Sequence, residues 1–162
     1  MTVSMYQASV PVFVRSLTNL KGILDKAAQS AEARKFDPAV LVSARLAPDM
    51  FPLSRQVQIA ADFAKGTTAR LAGMEVPKFE DTEVTLADLK ARIDKTIAFV
   101  QSVPAAAIDD SEAREITIPI RGTPTTFKGQ PYLLFFSLPN FYFHMTTAYA
   151  ILRHNGVDVG KS

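Results

Sequence analysis

Four polar side chains in one apolar stretch have the spacing of a binding or catalytic stripe. Ser137, Asn140, His144 and Thr147 lie three or four positions apart, so a helix would place them on one face. An imidazole can bind a metal or move a proton near neutral pH, and an amide oxygen can accept a hydrogen bond. Asn140 and His144 are therefore candidate ligands of one site. The alternative is that both are structural groups bonded to nearby backbone.

A second polar group precedes another predicted helix. Asp49 and Gln56 are seven residues apart and share a helix face. If Asp49 points toward His144, the carboxylate would orient the ring, and the pair would be catalytic or part of a mixed oxygen and nitrogen metal site. The alternative is that Asp49 caps the helix. Gln56 and Tyr6 are candidate ligand-binding wall residues of the same pocket.

The composition excludes several kinds of site. The chain has no cysteine, so disulfides, thiolate metal centres and cysteine nucleophiles are absent. With two histidines, one chain cannot build a three-histidine centre, and His154 is expected at the surface near a helix end. Serine-nucleophile motifs and glycine-rich phosphate-binding motifs are also absent.

Charge and hydropathy limit the partners and the location. The net charge is +2 and the basic residues are dispersed, so nucleic acid is not an expected partner. The most apolar run, 132–143, is shorter than the roughly 20 residues that cross a bilayer. The first residues show no signal-peptide pattern. A cytoplasmic protein without a membrane partner is expected.

Apolar periodicity predicts four main helices. A capping box of Ser4 and Gln7 opens the first, which is expected to kink near Pro11, and Thr85 and Asp88 form a similar box. An exposed face on the second main helix is predicted from its polar residues Arg55, Gln58, Asp62 and Lys65. The predicted ranges are 4–33, 52–73, 85–104 and 131–155, with a short helix at 39–44.

The region before the last helix has a different period. Ile116, Ile118 and Ile120 alternate with polar residues or proline, which predicts an edge-like β-hairpin over 114–127 with its turn at 122–124. The last helix holds six of the fifteen aromatic residues in 132–143, so we expect it to be buried on most sides, in the bundle or at a subunit interface. The sequence thus predicts one all-α domain over 1–162: a four-helix bundle with a small β-hairpin inserted before its last helix.

Three segments carry a family resemblance: LAPDM at 46–50, PNFYFH at 139–144 and AYAILRHNGV at 148–157. They resemble an uncharacterised domain-of-unknown-function family within the DinB/YfiT-like superfamily, whose members are regarded as metalloenzymes. The resemblance covers nearly the whole chain, and the family is expected to continue a little beyond Ser162. It implies a DinB-like four-helix bundle that forms a homodimer through bundle helices.

The resemblance also implies a site that this chain has altered. In the relatives, the last helix carries a His-x-x-x-His pair and the second helix supplies a third histidine. Here His144 matches the second member of the pair, Asn140 replaces the first, and Asp49 or Gln56 is the nearest polar candidate for the third. Two functions follow: a small-molecule-binding bundle that has lost the metal, or a divergent metal-dependent thiol transferase or hydrolase. The second would hold a divalent ion with His144, Asn140 and Asp49.

Overall fold

A computed structural model describes residues 3–160 as long helices packed around one apolar core. The predicted all-α bundle, with a hairpin before the last helix, is confirmed. The expected continuation beyond Ser162 lies outside the described residues. The elements are α1 (Val10–Arg34), α2 (Ala39–Ser43), α3 (Leu53–Leu71), α4 (Leu86–Ser102), α5 (Ala105–Ile108), β1 (Glu115–Ile120), β2 (Thr123–Lys128), α6 (Gly129–Pro131), a π-helical segment (Tyr132–Ser137) and α7 (Leu138–His154).

Helix α3 lies at the centre of the bundle, because it packs against both α4 and α7. Helix α1 closes the other side by packing against α4 and α7. Its apolar face is fully buried, and the Phe13 ring meets Phe141 of α7 edge to face at 5.0 Å. Within residues 3–160, no helix combines the length and apolarity needed to cross a bilayer.

The start of α1 differs from the sequence prediction. The reciprocal Ser4 and Gln7 hydrogen bonds are present at 3.3 Å each, but the regular helix begins only at Val10. Pro11 has no N–H to donate to the carbonyl of Gln7, so residues 5–9 form turns instead. The predicted kink at Pro11 is wrong, because this proline lies in the first turn of the helix.

The predicted capping box of α4 is confirmed. The Thr85 hydroxyl accepts from the Asp88 backbone N–H at 3.1 Å, and the Asp88 carboxylate accepts from the Thr85 backbone N–H at 2.9 Å. The hydrogen bond with the Thr85 side chain, together with the backbone N–H groups of Val84 and Thr85, lowers the pKa of Asp88. The helix start therefore favours the ionised carboxylate.

The hairpin is present, but its turn is not where the sequence placed it. Strands β1 and β2 pair antiparallel with Ile120 opposite Thr123, so the turn residues are Arg121 and Gly122. Both have positive φ, 50° and 81°, as a two-residue turn of this kind requires. Ile116 and Ile118 are buried and attach the hairpin to the core.

The predicted exposed face of α3 is wrong at two positions. Gln58 and Lys65 are 6% and 5% exposed. The cause is the connection between α3 and α4, which covers this face: the Gln58 amide donates to Glu83 at 2.9 Å, and the Lys65 ammonium lies 4.3 Å from the centre of the Phe79 ring.

Arg92 of α4 anchors the same connection. It is 3% exposed and forms ion pairs with Asp62 at 2.9 Å, Asp81 at 3.0 Å and Glu83 at 3.0 Å. Asp62 also pairs with Lys65 at 2.9 Å. A buried guanidinium surrounded by three carboxylates holds the connection against α3 and α4.

The π-helical segment was not predicted. It lies between Pro131 and Pro139, neither of which can donate a backbone hydrogen bond. The apolar half of the last helix is only partly buried in the described residues: Leu133 and Phe141 are fully buried, whereas Phe135 is 79% exposed. The predicted burial is thus confirmed for one side of the helix, and the subunit interface stays a prediction.

Candidate functional site

His144 of α7 forms a hydrogen bond with Gln56 of α3. Its Nδ1 lies 2.7 Å from the Gln56 Oε1 atom, and the Gln56 amide nitrogen donates to the Phe51 carbonyl at 3.1 Å. Gln56 itself is 1% exposed. The packing of α3 against α7 therefore brings together two predicted site residues that are 88 positions apart.

The two hydrogen bonds of Gln56 determine the proton position on His144. A carbonyl accepts only, so the Gln56 NH2 group must face Phe51 and the amide oxygen must face the imidazole. The Nδ1 of His144 then carries the hydrogen and donates it. In a neutral ring this leaves Nε2 with a free lone pair.

The surroundings of His144 favour the neutral ring. Burial lowers the pKa of His144, and the positive charge of Arg55 lowers it further. The ring stacks on Phe63 at 6.0 Å, and the ring of Phe143 meets it edge to face at 5.1 Å. At neutral pH the site therefore presents an uncharged imidazole nitrogen among aromatic rings.

The other members of the polar stripe have separate partners. The Asn140 amide donates to the Phe136 carbonyl at 2.7 Å, and the Thr147 hydroxyl donates to the Phe143 carbonyl at 2.8 Å. Ser137 bonds to Thr67 of α3. Asn140 thus bonds its own helix through its N–H group, and its role in ligand or metal binding stays a prediction.

Asp49 and Tyr6 lie apart from the His144 hydrogen bond. Asp49 is exposed, and within residues 3–160 no hydrogen bond or ion pair joins it to His144, whose Nδ1 is occupied by Gln56. It does not cap α3 either, because the cap position is Pro52 and carries no side-chain hydrogen bond. Tyr6 is half-buried, and its backbone N–H donates to Asp109 at 2.9 Å. The functional roles of Asp49 and Tyr6 stay predictions.

The donor groups around His144 do not fit a three-ligand zinc or nickel centre. Among residues 3–160, no three His, Cys, Asp or Glu side chains cluster closely enough to hold a metal ion. The Gln56 oxygen already accepts from the imidazole, and Asn140 offers only a neutral amide. Metal binding through His144, Asn140 and Asp49 stays a prediction, which the metal analysis below tests.

A cleft next to His144 was missed by the sequence analysis. Phe63, whose ring stacks on His144, also lines a cleft of about 270 Å³ between α3, β1 and the π-helical segment. We call this the Arg70 cleft, because the Arg70 guanidinium donates to the Tyr132 hydroxyl at 3.1 Å within it. A glycine inside the α3 pattern, Gly66, was the available signal, since a helix interior rarely keeps glycine without a packing reason.

Comparison with known proteins identifies the family. Residues 5–162 match the family model of a domain of unknown function, DUF1993. The chain belongs to the DUF1993 family. The chain is similar to the crystal structure, at 1.83 Å resolution, of a DinB family member protein from Shewanella denitrificans. The two sequences are 44% identical, and the two structures superpose with a TM-score of 0.91. The match covers 96% of this chain and 88% of that chain. No curated protein matches the sequence.

These matches confirm the DinB-like resemblance and the fold that it implied. In this DUF1993 domain, the residue of the second long helix that reaches His144 is Gln56, an amide, whereas the aspartate before that helix is exposed. Of the predicted site residues, His144 and Gln56 are thus the pair that a side-chain hydrogen bond joins in the described residues.

Proposed function

We propose that this DUF1993 domain binds a small molecule through the neutral imidazole of His144. The observation that supports the proposal is the hydrogen bond at 2.7 Å between Gln56 and His144, with the Gln56 NH2 group held by Phe51. It fixes the tautomer and orients the ring before any ligand arrives. Preorganisation of this kind reduces the entropy lost on binding.

The chemistry of the site indicates the kind of ligand. The Nε2 lone pair of a neutral imidazole accepts one hydrogen bond, and the neighbouring rings of Phe63 and Phe143 offer apolar contact. A cation is disfavoured, because the charge of Arg55 acts on this ring. We expect an uncharged molecule with an aromatic or apolar body and one O–H or N–H donor.

Phenol and anisole form a matched probe pair, because only phenol can donate a hydrogen bond. We expect phenol to shift the His144 Nε2 resonance in a nitrogen-detected NMR titration, and anisole to leave it unchanged. The variant His144→Phe keeps an aromatic ring against Phe63 but removes the acceptor, so it should bind both probes equally. Equal binding of both probes to the unmodified protein would contradict the proposal.

The affinity for phenol should also depend on pH. As the pH falls through the lowered pKa of His144, Nε2 gains a proton and can no longer accept. Phenol binding should therefore weaken on acidification below neutral pH and stay constant above it. An affinity that is independent of pH over this range would show that phenol binds elsewhere.

The alternative is a divergent metal-dependent thiol transferase or hydrolase that uses His144, Asn140 and Asp49. One observation favours it: an imidazole whose N–H is held by an oxygen is the usual arrangement of a metal-binding histidine. The test is elemental analysis of protein purified without a nickel column or chelator, with His144→Ala in parallel. Stoichiometric metal that disappears in the variant would establish the alternative and justify thiol-transfer assays.

The small-molecule proposal predicts the opposite result. Neither protein should carry stoichiometric metal, and zinc, nickel, manganese and iron should not raise the melting temperature of either.

We also propose a homodimer formed through the exposed apolar side of the last helix. Phe135 is 79% exposed, and Tyr142 and Phe143 are about half exposed, at 47% and 54%. Sedimentation velocity of the wild-type protein should give a dimer, and Phe135→Ser should shift the equilibrium toward monomer. A monomeric wild-type protein at micromolar concentration would refute this.

A further inference from the structure

We propose that the Arg70 cleft is a separate binding site for a small aromatic carboxylate. Arg70 and Tyr132 would hold the carboxylate, and the rings of Phe63 and Phe136 would contact the aromatic body. This site goes beyond the proposed role of His144, because its polar groups belong to different residues.

The charge of Arg70 is not neutralised by the protein. Within residues 3–160, no carboxylate lies at ion-pair distance from its guanidinium, which donates one hydrogen bond, to a neutral phenol. The carboxylate of Asp62 also lines the cleft, but it is held by Lys65 and Arg92 at 2.9 Å each. A guanidinium has five donors, so most of those on Arg70 remain available to an anion.

The Tyr132 hydroxyl supplies a second donor. Its oxygen accepts from Arg70, and the Tyr132 hydrogen has no acceptor among the described residues. Tyr132 is 1% exposed, so this hydroxyl is fixed by its packing and lies at the wall of the cleft. A buried hydroxyl hydrogen next to an unpaired guanidinium fits one acceptor that carries a negative charge, such as a carboxylate oxygen.

Gly66 explains how the guanidinium takes its position. A Cβ atom at Gly66 would lie 2.5 Å from the Arg70 Nη1 atom, so the side chain of Arg70 folds back across the glycine. Glycine destabilises a helix interior relative to alanine. Its presence in the middle of α3 therefore makes room for the guanidinium, which donates to the Tyr132 hydroxyl at the cleft.

The walls and the volume determine the ligand class. The Tyr132 and Phe136 rings stack at 5.9 Å, Phe63 lies 6.0 Å from Phe136, and Ile118 of the hairpin closes one side. A volume of about 270 Å³ is small for a ligand pocket. The single guanidinium can pair with one carboxylate, and the apolar wall favours a ligand whose remaining part is apolar. A small aromatic monocarboxylate fits the volume, the guanidinium and the wall.

The test uses phenylacetate and its uncharged analogue phenylacetamide, measured by calorimetry and ligand-observed NMR. We expect the wild-type protein to bind phenylacetate with a Kd on the order of 1 mM or tighter and phenylacetamide at least tenfold more weakly. Arg70→Gln should weaken phenylacetate binding at least tenfold, and Tyr132→Phe about tenfold, because each removes a hydrogen bond to a charged group. The exposed arginine variant Arg153→Gln is the matched control and should bind like the wild type.

Gly66→Ala separates a binding effect from a folding effect. The added methyl group meets only the flexible end of Arg70, so the variant should melt at the same or a higher temperature. It should nevertheless bind phenylacetate several-fold more weakly, because the guanidinium must move. Unchanged binding in this variant would refute the role assigned to the glycine and to the Arg70 position.

Two further outcomes would overturn the proposal. The first is no binding of phenylacetate to the wild-type protein up to about 10 mM, or equal binding of phenylacetamide. The second is loss of phenylacetate binding in His144→Phe but not in Arg70→Gln, which would place the probe at the imidazole instead. Because the two variants affect different probes, failure at the Arg70 cleft is distinguishable from failure at His144.

Discussion

The hydrogen bond between Gln56 and His144 can be tested by Gln56→Leu. Leucine keeps a similar volume in a position that is 1% exposed, but it accepts nothing from His144 and donates nothing to Phe51. The imidazole Nδ1–H then has no acceptor. The substitution should destabilise the protein without opening a large cavity.

The size of the stability loss in Gln56→Leu depends on how deeply the groups left unpaired are buried. An unpaired buried polar group costs about 1–3 kcal/mol. His144 is half-buried and Phe51 is exposed, so water can reach part of this region and the lower end applies. We expect a loss of about 1–2 kcal/mol in the free energy of unfolding, or about 2–8 °C in melting temperature for a chain of this size.

A double-mutant cycle separates the hydrogen bond from packing effects. The variants are Gln56→Leu, His144→Phe and the double variant, each measured by urea unfolding followed by circular dichroism. When both partners are replaced, neither the amide nor the imidazole is left unpaired, and the Phe51 carbonyl loses its donor in both Gln56→Leu variants, so that loss cancels. We therefore expect a coupling free energy of about 1 kcal/mol. Additivity within about 0.3 kcal/mol would refute the hydrogen bond, and the assignment of the His144 tautomer with it.

Three further predictions concern stability. Arg92→Met leaves three carboxylates without their shared cation and should lower the free energy of unfolding in urea by about 3 kcal/mol. This is the low end for a broken buried ion pair, because Asp62 and Asp81 are partly exposed. The exposed control Arg153→Met should lower it by less than about 1 kcal/mol. Thr85→Ala removes half of the capping box and should cost about 1 kcal/mol by the same measurement, whereas Thr85→Ser should cost little. Because the pKa of His144 is lowered in the folded protein, the unfolded chain takes up the proton at a higher pH than the folded chain does. The stabilisation by neutral His144 is therefore complete above its ordinary pKa of 6.5 and is lost as the pH falls toward the folded pKa. The difference in stability between the wild-type protein and His144→Phe should shrink over that range.

The parts of the fold that depend on local patterns were predictable from the sequence. The capping box at Thr85 and the alternation at Ile116 and Ile118 form as expected, since each rests on neighbours a few residues away. The Ser4 and Gln7 hydrogen bonds also form, although the helix begins only at Val10. The buried state of Lys65 was not predictable in this way. Its partner Phe79 lies on the following connection, and helix periodicity says nothing about what a loop will cover.

The candidate site was likewise predictable only where it depends on local sequence patterns. The sequence placed Asn140 and His144 on one helix face, but it could not show that Asn140 would bond its own helix while Gln56 reached the imidazole. That choice depends on the packing of α3 against α7. The Arg70 cleft depends on three elements that are distant in the chain, and only the unexplained Gly66 pointed to it.

Because of the π-helical segment Tyr132–Ser137, the position of the hairpin depends on the number of residues in that segment. Each residue turns a helix by about 100°, and a π-helical turn accommodates an extra residue. Shortening this segment by one residue would rotate the residues immediately before it about the axis of α7, and with them strand β2 and Ile118 of its partner strand. Members of the family that differ by one residue here should therefore carry the hairpin on another side of the bundle, with no wall over the Arg70 cleft.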